Sequence, residues 1–214
     1  MFFYGEISMS IKNIIFDLGN VLFLYNPEKI IKSLLPETKN KQEYLEKLFL
    51  NSMWINKLDK GLFNHKEAKE YLTKTVNLNL EKTMDLCKLY DNWVYHLDIV
   101  NGSKDIFNSL LENNYKVYLL TNFQDEPFDR LIETHPFLKK AHGEVVSAKV
   151  KMLKPEPEIY EHLLQKYQLV AEECVFVDDK KENIDAAQAM GIHGIVFESS
   201  EQFSQDLKKL AVEF

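Results

Sequence analysis

Ile14-Ile15-Phe16-Asp17-Leu18-Gly19-Asn20-Val21-Leu22 is the stretch on which the fold turns. An apolar run rich in β-branched and aromatic residues reads as a buried strand. Here a carboxylate, a glycine and an asparagine interrupt it before the chain turns apolar again. In parallel α/β sheets the carboxyl ends of the strands border the crevice where ligands bind, so Asp17 stands where chemistry is done. The plainer alternative is an acid that merely caps a turn, and the rest of the chain decides between the two.

Two more apolar runs end the same way. Tyr115–Leu120 passes into Thr121-Asn122, and Cys174–Val177 passes into Asp178-Asp179. Shorter strands are expected at Glu144–Ser147 and Gly194–Phe197. Helices are expected over Lys104–Glu112, near Glu126–Thr134, over Glu158–Tyr167 after Pro157, around Asn183–Met190 with Gly191 closing it, and over Glu201–Ala211. Strands alternating with helices at this spacing predict a three-layer α/β, Rossmann-like core with a mainly parallel sheet.

Between the first and second core strands the pattern is helical throughout. Asn26-Pro27 offers an N-cap and a proline for the first helical position. Lys29–Leu35 and Lys41–Leu50 carry apolar residues at spacings of three and four, Asn64-His65-Lys66-Glu67 resembles a capping box, and Glu81–Leu97 reads as a long amphipathic helix. The expected division is a core of residues 1–25 and 98–214 and an all-helical cap of residues 26–97 inserted after the first core strand. Met9 is an alternative start, which makes residues 1–8 a loose extension.

With 214 residues and 45% hydrophobic content, the chain is long enough for one full core and a smaller insertion. Its net charge of -7 and pI near 5.4 argue against nucleic acid, which needs a basic face. An anionic substrate must therefore be held by local positive groups or a metal. No apolar run approaches membrane-spanning length, the leading residues do not resemble a secretory signal, and Cys87 and Cys174 imply no disulfide framework. A cytoplasmic protein, monomeric or homodimeric, is the expectation.

In a parallel sheet, the polar strand ends lie along one edge. Asp17, Asp178 and Asp179 together repel unless a cation sits among them, and an all-oxygen donor set points to Mg²⁺ rather than zinc. A hydroxyl, an amide and the Lys154 ammonium suit the peripheral oxygens of a phosphate, and a spare carboxylate can attack phosphorus.

The order Asp17-x-Gly19-Asn20-Val21, Thr121-Asn122, Lys154-Pro155, Asp178-Asp179 resembles the haloacid dehalogenase-like (HAD) superfamily of hydrolases over almost the whole chain. Within it, FDLGNV followed by a helical cap is similar to the α-D-glucose-1-phosphate phosphatase branch and to the N-terminal phosphatase domain of soluble epoxide hydrolase. The resemblance implies that Asp17 is the nucleophile, forming an aspartyl-phosphate, and also a metal ligand. It implies that the Gly19 carbonyl, Asp179 and, directly or through water, Asp178 complete the Mg²⁺ site. Leu18, Gly19, Thr121, Asn122 (by backbone or amide) and Lys154 are then the substrate-binding set, with Thr121 and Lys154 also serving catalysis. The implied activity is a Mg²⁺-dependent phosphomonoesterase acting on a small phosphorylated metabolite, above all a sugar phosphate such as a hexose 1-phosphate. A metal-free 2-haloacid dehalogenase and a catalytically silent binding protein of the same fold are the alternatives.

One departure matters. Phosphatases of this superfamily commonly carry a second aspartate two residues after the nucleophile, as general acid and base, and here that position is Gly19. A missing proton donor costs about 10²–10⁴ in rate. Either the leaving oxygen is acidic enough to depart unaided, as an anomeric oxygen would be, or a cap side chain or water supplies the proton. Trp54, Lys57 and Lys60 are expected in a cap loop where they could line the pocket, packing being the leading role for Trp54. His65 is a lesser candidate for substrate contact.

Overall fold

The computed structural model describes residues 10–75 and 77–214; the expected N-terminal extension lies outside them. Five strands form the main sheet: β1 (Asn13–Phe16), β4 (Lys116–Thr121), β5 (Gly143–Val146), β6 (Cys174–Asp178) and β7 (His193–Val196). All neighbours are parallel, in the order β5-β4-β1-β6-β7. The expected Rossmann-like α/β class is thus the observed one, with β1 central. Strands that are buried on both faces need continuous apolar sequence, and β1 is buried at every position.

Alternation along the strands separates two apolar layers. Phe16, Val117, Leu119, Val175 and Val177 face one side, where Phe107 of α5 (Ser103–Glu112) and Phe203 of α10 (Ser200–Lys209) meet Phe16 with ring centroids 5.6 and 5.5 Å away. Ile15, Tyr118, Leu120 and Phe176 face the other, against α8 (Pro157–Tyr167) and α9 (Lys181–Ala189). Helix–sheet–helix is the three-layer arrangement.

A second, two-stranded antiparallel pair was not expected from sequence: β2 (Phe23–Leu24) and β3 (Asp98–Ile99). Two residues per strand leave no period to read. The chain enters and leaves the helical cap through this pair, which therefore sets the cap's base. Inside the cap, Asn26 caps α1 (Pro27–Leu34) by accepting from the Lys29 N–H at 3.0 Å. Asn64 and Glu67 exchange side-chain-to-backbone hydrogen bonds of 2.8 and 2.9 Å at the start of α3 (His65–Thr75), the anticipated capping box.

The cap departs from expectation in its middle. Helix α2 (Lys41–Tyr44) runs into a π-helical stretch, Leu45–Phe49, and Trp54–Asp59, read from sequence as a loop, is a second one. Wide turns of this kind re-aim side chains and recur at functional sites. The expected long helix is α4 (Leu80–Asn92), tightened into a 3₁₀ turn at Trp93–His96. Trp54, Tyr90 and Trp93 pack as a cluster, Trp54 lying 5.2 Å from Trp93 and 6.3 Å from Tyr90.

Candidate active site

Asp17 immediately follows β1, its backbone N–H donating to Val177 O at 3.0 Å, so the sheet's hydrogen-bond ladder carries it to the strand's end. Asp178 ends β6 and Thr121 ends β4. The three neighbouring strands thus deliver their polar termini to one edge. Lys154 reaches them from the loop before α8. Its ammonium lies 2.9 Å from Asp17 Oδ1 and 2.6 Å from Asp178 Oδ2, and donates to Leu120 O at 3.0 Å. Its side chain is 1% exposed and that of Asp178 is fully buried. Burial favours the neutral amine, but the two carboxylates outweigh it and hold the Lys154 ammonium above its ordinary pKa.

Asp17 moves the other way. Desolvation lifts it, Lys154 opposes, and the negative charge of Asp178 adds to the rise, leaving its pKa at about 6. Such a carboxyl is short of positive charge. One carboxylate oxygen from each of Asp17, Asp178 and Asp179 can be chosen so that all lie within 4.8 Å of one another. Three acids against one ammonium leave two negative charges unmatched, and the donors are oxygens alone, which fits a hard divalent cation. Asp17, Asp178 and Asp179 would hold it. Gly19 lies beside them with open space where a Cβ would be.

Several partners to which the sequence assigned no role fix these groups. Asn183, in the first turn of α9, donates to both Asp178 oxygens at 2.9 and 3.0 Å, and the Lys180 N–H donates to Oδ1 at 2.8 Å. Asn20, at φ 55°, donates to Asp179 at 2.9 Å and accepts from the Tyr25 N–H at 3.1 Å. Short polar residues five apart in Asp178-x-x-x-x-Asn183 were the available signal.

The remaining predicted residues sort by what their atoms are free to do. Asn122 spends its side chain on the Lys154 backbone, donating to its carbonyl at 2.9 Å and accepting from its N–H at 2.8 Å. Of the two options, backbone or amide, only the Asn122 N–H is left to offer a ligand. Leu18 is a fully buried core side chain, so only its backbone can serve. Thr121 is 1% exposed at its strand end.

Beside Asp17 and Lys154 opens a cavity of about 320 Å³. Tyr25, Phe49, Trp54, Ile55, Trp93 and Phe123 form its apolar wall, and Asp59, Lys180, Glu182 and Asn183 are among its polar members. Trp54 both packs and lines it. Lys57 and Lys60 do not: Lys57 sits over the Phe63 ring and Lys60 pairs with Glu156 at 2.9 Å. His65 is also outside it, stacked on Tyr90 and bonded to Asp91 at 2.7 Å. Asp179 and Asn20 border a separate, wider opening on the other side of the acidic cluster.

The Asp59 carboxyl was missed altogether. Desolvation holds it well above the ordinary carboxylate range, with the Gln124 amide and the Lys180 charge pulling only weakly against that. Asp59-Lys60-Gly61 is clamped to the core. Ser147 Oγ donates to Asp59 O at 2.5 Å, and Gly61, at φ +68°, passes so close to Ala148 that an added Cβ would lie 2.1 Å from its carbonyl oxygen.

Comparison with known proteins gives these features a context. The chain is 28% identical over 199 residues to a sesquiterpene phosphatase of Aspergillus oryzae, covering 93% of this chain and 96% of that one. It is 24% identical to a D-ribitol-5-phosphate phosphatase of Bacteroides thetaiotaomicron, covering 92% and 97%. A crystal structure of a HAD family enzyme from Bacteroides thetaiotaomicron, in complex with magnesium and inorganic phosphate, superposes with a TM-score of 0.73 at 26% identity, over 92% of this chain and 98% of that one. Residues 11–191 match the haloacid dehalogenase-like hydrolases as a family, and the chain belongs to it.

Proposed function

We propose that the chain is a Mg²⁺-dependent phosphomonoesterase in which Asp17 is the nucleophile and an aspartyl-phosphate the intermediate. Phosphatase activity follows from the family and its named relatives; the ion, the intermediate and the residue roles are proposed from the site. One observation carries it. A fully enclosed lysine bridges two strand-end carboxylates, with a third close enough to share one ion.

In this reading, Lys154 keeps Asp17 ionised and steadies the phosphate charge, and Asn183 and Lys180 fix Asp178. The Asn122 and Leu18 backbones present N–H groups, and Thr121 presents its hydroxyl. Asp17, Asp178 and Asp179 would hold the Mg²⁺, which when bound would supply electrostatic stabilisation of the transferring phosphoryl group. Residues 26–97 act as the cap over a core of 1–25 and 98–214, excluding water from the aspartyl ester until the organic product leaves. The two cysteines are free thiols, in keeping with a cytoplasmic enzyme, and no helix among the described residues is long and apolar enough to cross a membrane.

The substrate is a small phosphate monoester. A sugar phosphate is the reading that the sequence motif and the ribitol-phosphate relative support. The wall of five aromatic rings and Ile55 favours a second: an ester whose organic group is largely apolar, as in the sesquiterpene relative. Phosphate release from a panel holding both classes, with Mg²⁺ and with EDTA, tests both. The expected result is metal-dependent turnover with apolar esters at lower KM than sugar phosphates. Absence of release from every ester would leave a silent binding protein, and halide release without metal would support the dehalogenase alternative.

A further inference from the structure

Gly19 leaves this site without the proton donor that an alkoxide leaving group needs, and the strand-end cluster holds no spare acid. Asp178 is bound on both oxygens by Asn183 and Lys154, and Asp179 is engaged by Asn20. The cavity's apolar wall makes the need sharper, because an aliphatic alcohol leaves far less readily than an anomeric or phenolic oxygen.

We propose that Asp59, from the cap, is the general acid and base of this enzyme. The inference rests on the phosphatase reading above. Asp59 lines the same cavity as Asp17 and Lys154, is 8% exposed and has no salt bridge among the described residues. Its position is set by the core rather than by cap flexibility, through Ser147 Oγ on its carbonyl and the Gly61–Ala148 contact two residues on. The groups facing it are the Lys180 ammonium, the Tyr25 and Tyr90 phenols and the neutral Gln124 amide, with Asp17, Lys154 and Glu182 elsewhere on the cavity wall. Burial among rings keeps the acid protonated beyond the usual carboxylate range, as a donor must be.

The step balances. Asp17 Oδ forms a bond to phosphorus as the bond from phosphorus to the alcohol oxygen breaks, and the Asp59 proton passes to that oxygen, releasing the alcohol. The Asp59 carboxylate then takes a proton from the water that attacks phosphorus. Asp17 departs as a carboxylate, inorganic phosphate is released, and Asp59 is again protonated.

The test uses the full chain with saturating Mg²⁺ and two substrates, hexyl phosphate and p-nitrophenyl phosphate, whose phenolate leaves without help. In single-turnover reactions Asp59→Asn should slow hexanol release by about 10²–10³-fold and leave nitrophenolate release within about 3-fold, while the later hydrolysis of the aspartyl-phosphate slows for both. In wild type, kcat on the alkyl ester should fall as rising pH strips the proton from Asp59, and that alkaline limb should vanish in the variant. Gly19→Asp, placed where a Cβ meets nothing within 4 Å, should restore alkyl turnover in the Asp59→Asn background. Equal loss of hexanol and nitrophenolate release in the single turnover, or no loss on either, overturns the proposal. Wild-type enzyme that releases no phosphate from either ester refutes the phosphatase reading itself, and this inference with it.

Discussion

The strand-end cluster and the cap wall lie on either side of one cavity, and they are built by opposite rules. Around Asp17, Lys154 and Asp178 the polar atoms are held by ion pairs and hydrogen bonds of 2.6–3.0 Å, on backbone fixed by a parallel sheet, and what is left over is net negative charge for a cation. Across the cavity the wall is aromatic, carried on π-helical and 3₁₀ turns, and it keeps buried polar atoms without partners, among them Tyr25 Oη and Trp93 Nε1. A buried donor left unpaired costs about 1–3 kcal/mol. The core fixes its groups geometrically and leaves only charge for a cation, whereas the cap holds hydrogen-bonding capacity that only a ligand or rearrangement can satisfy. Phosphate chemistry is invariant and suits a rigid site, and the organic group is what a cap has to fit.

Removing the nucleophile is the largest way to break that comparison. Asp17→Asn should abolish phosphate release, by about four orders of magnitude or more. It should nonetheless raise the stability of the metal-free protein by about 1–3 kcal/mol, because a carboxyl pushed up to about 6 is disfavoured in its charged form. Chemical denaturation in EDTA reads the second effect. A large loss of stability would mean that the cluster holds the sheet together rather than serving chemistry.

Lys154→Met comes next. It leaves Asp17 and Asp178 facing each other without their common cation, at a cost of about 3–5 kcal/mol. Saturating Mg²⁺ should recover part of that loss by mass action on the folded state. If thermal midpoints with and without Mg²⁺ fell equally, the ion would bind elsewhere.

The same contrast explains what was legible beforehand. Ile14–Phe16, Val117–Leu120 and Val175–Val177 could be read because strands buried on both faces need uninterrupted apolar sequence, so an abrupt carboxylate or threonine marks their ends. From that pattern the order of Asp17, Thr121, Lys154 and Asp178-Asp179 could be placed on one edge. Asn183 and Lys180 escaped notice because a polar residue in a helix's first turn looks like ordinary capping until its partner is seen. Asp59 sits in Leu58-Asp59-Lys60-Gly61, a charge pair that reads as solvated surface. Only tertiary packing buries the acid while turning Lys60 outward to Glu156. Lys57 and Lys60 were expected near the pocket for the same reason, since the two π-helical turns shift which residues face inward.

The smallest test bears on the cap alone. Ile55 lines the cavity and is 51% exposed, so it touches a ligand without belonging to the folded core. Ile55→Ser should therefore shift stability by no more than about 0.5 kcal/mol. It should also leave kcat and KM for methyl phosphate unchanged, because that ester is too small to reach the wall. For a ten-carbon alkyl phosphate, losing half-buried apolar contact is worth about 1 kcal/mol, a rise in KM of about 5-fold with kcat unaltered. A fall in KM for sugar phosphates in the same variant would turn the choice of substrate toward polyols, since the serine hydroxyl gains a partner only if the organic group carries one. Uniform changes across all three esters would instead place Ile55 in positioning the cap over Asp17, and the division of labour between rigid core and adaptable wall would no longer hold at that residue.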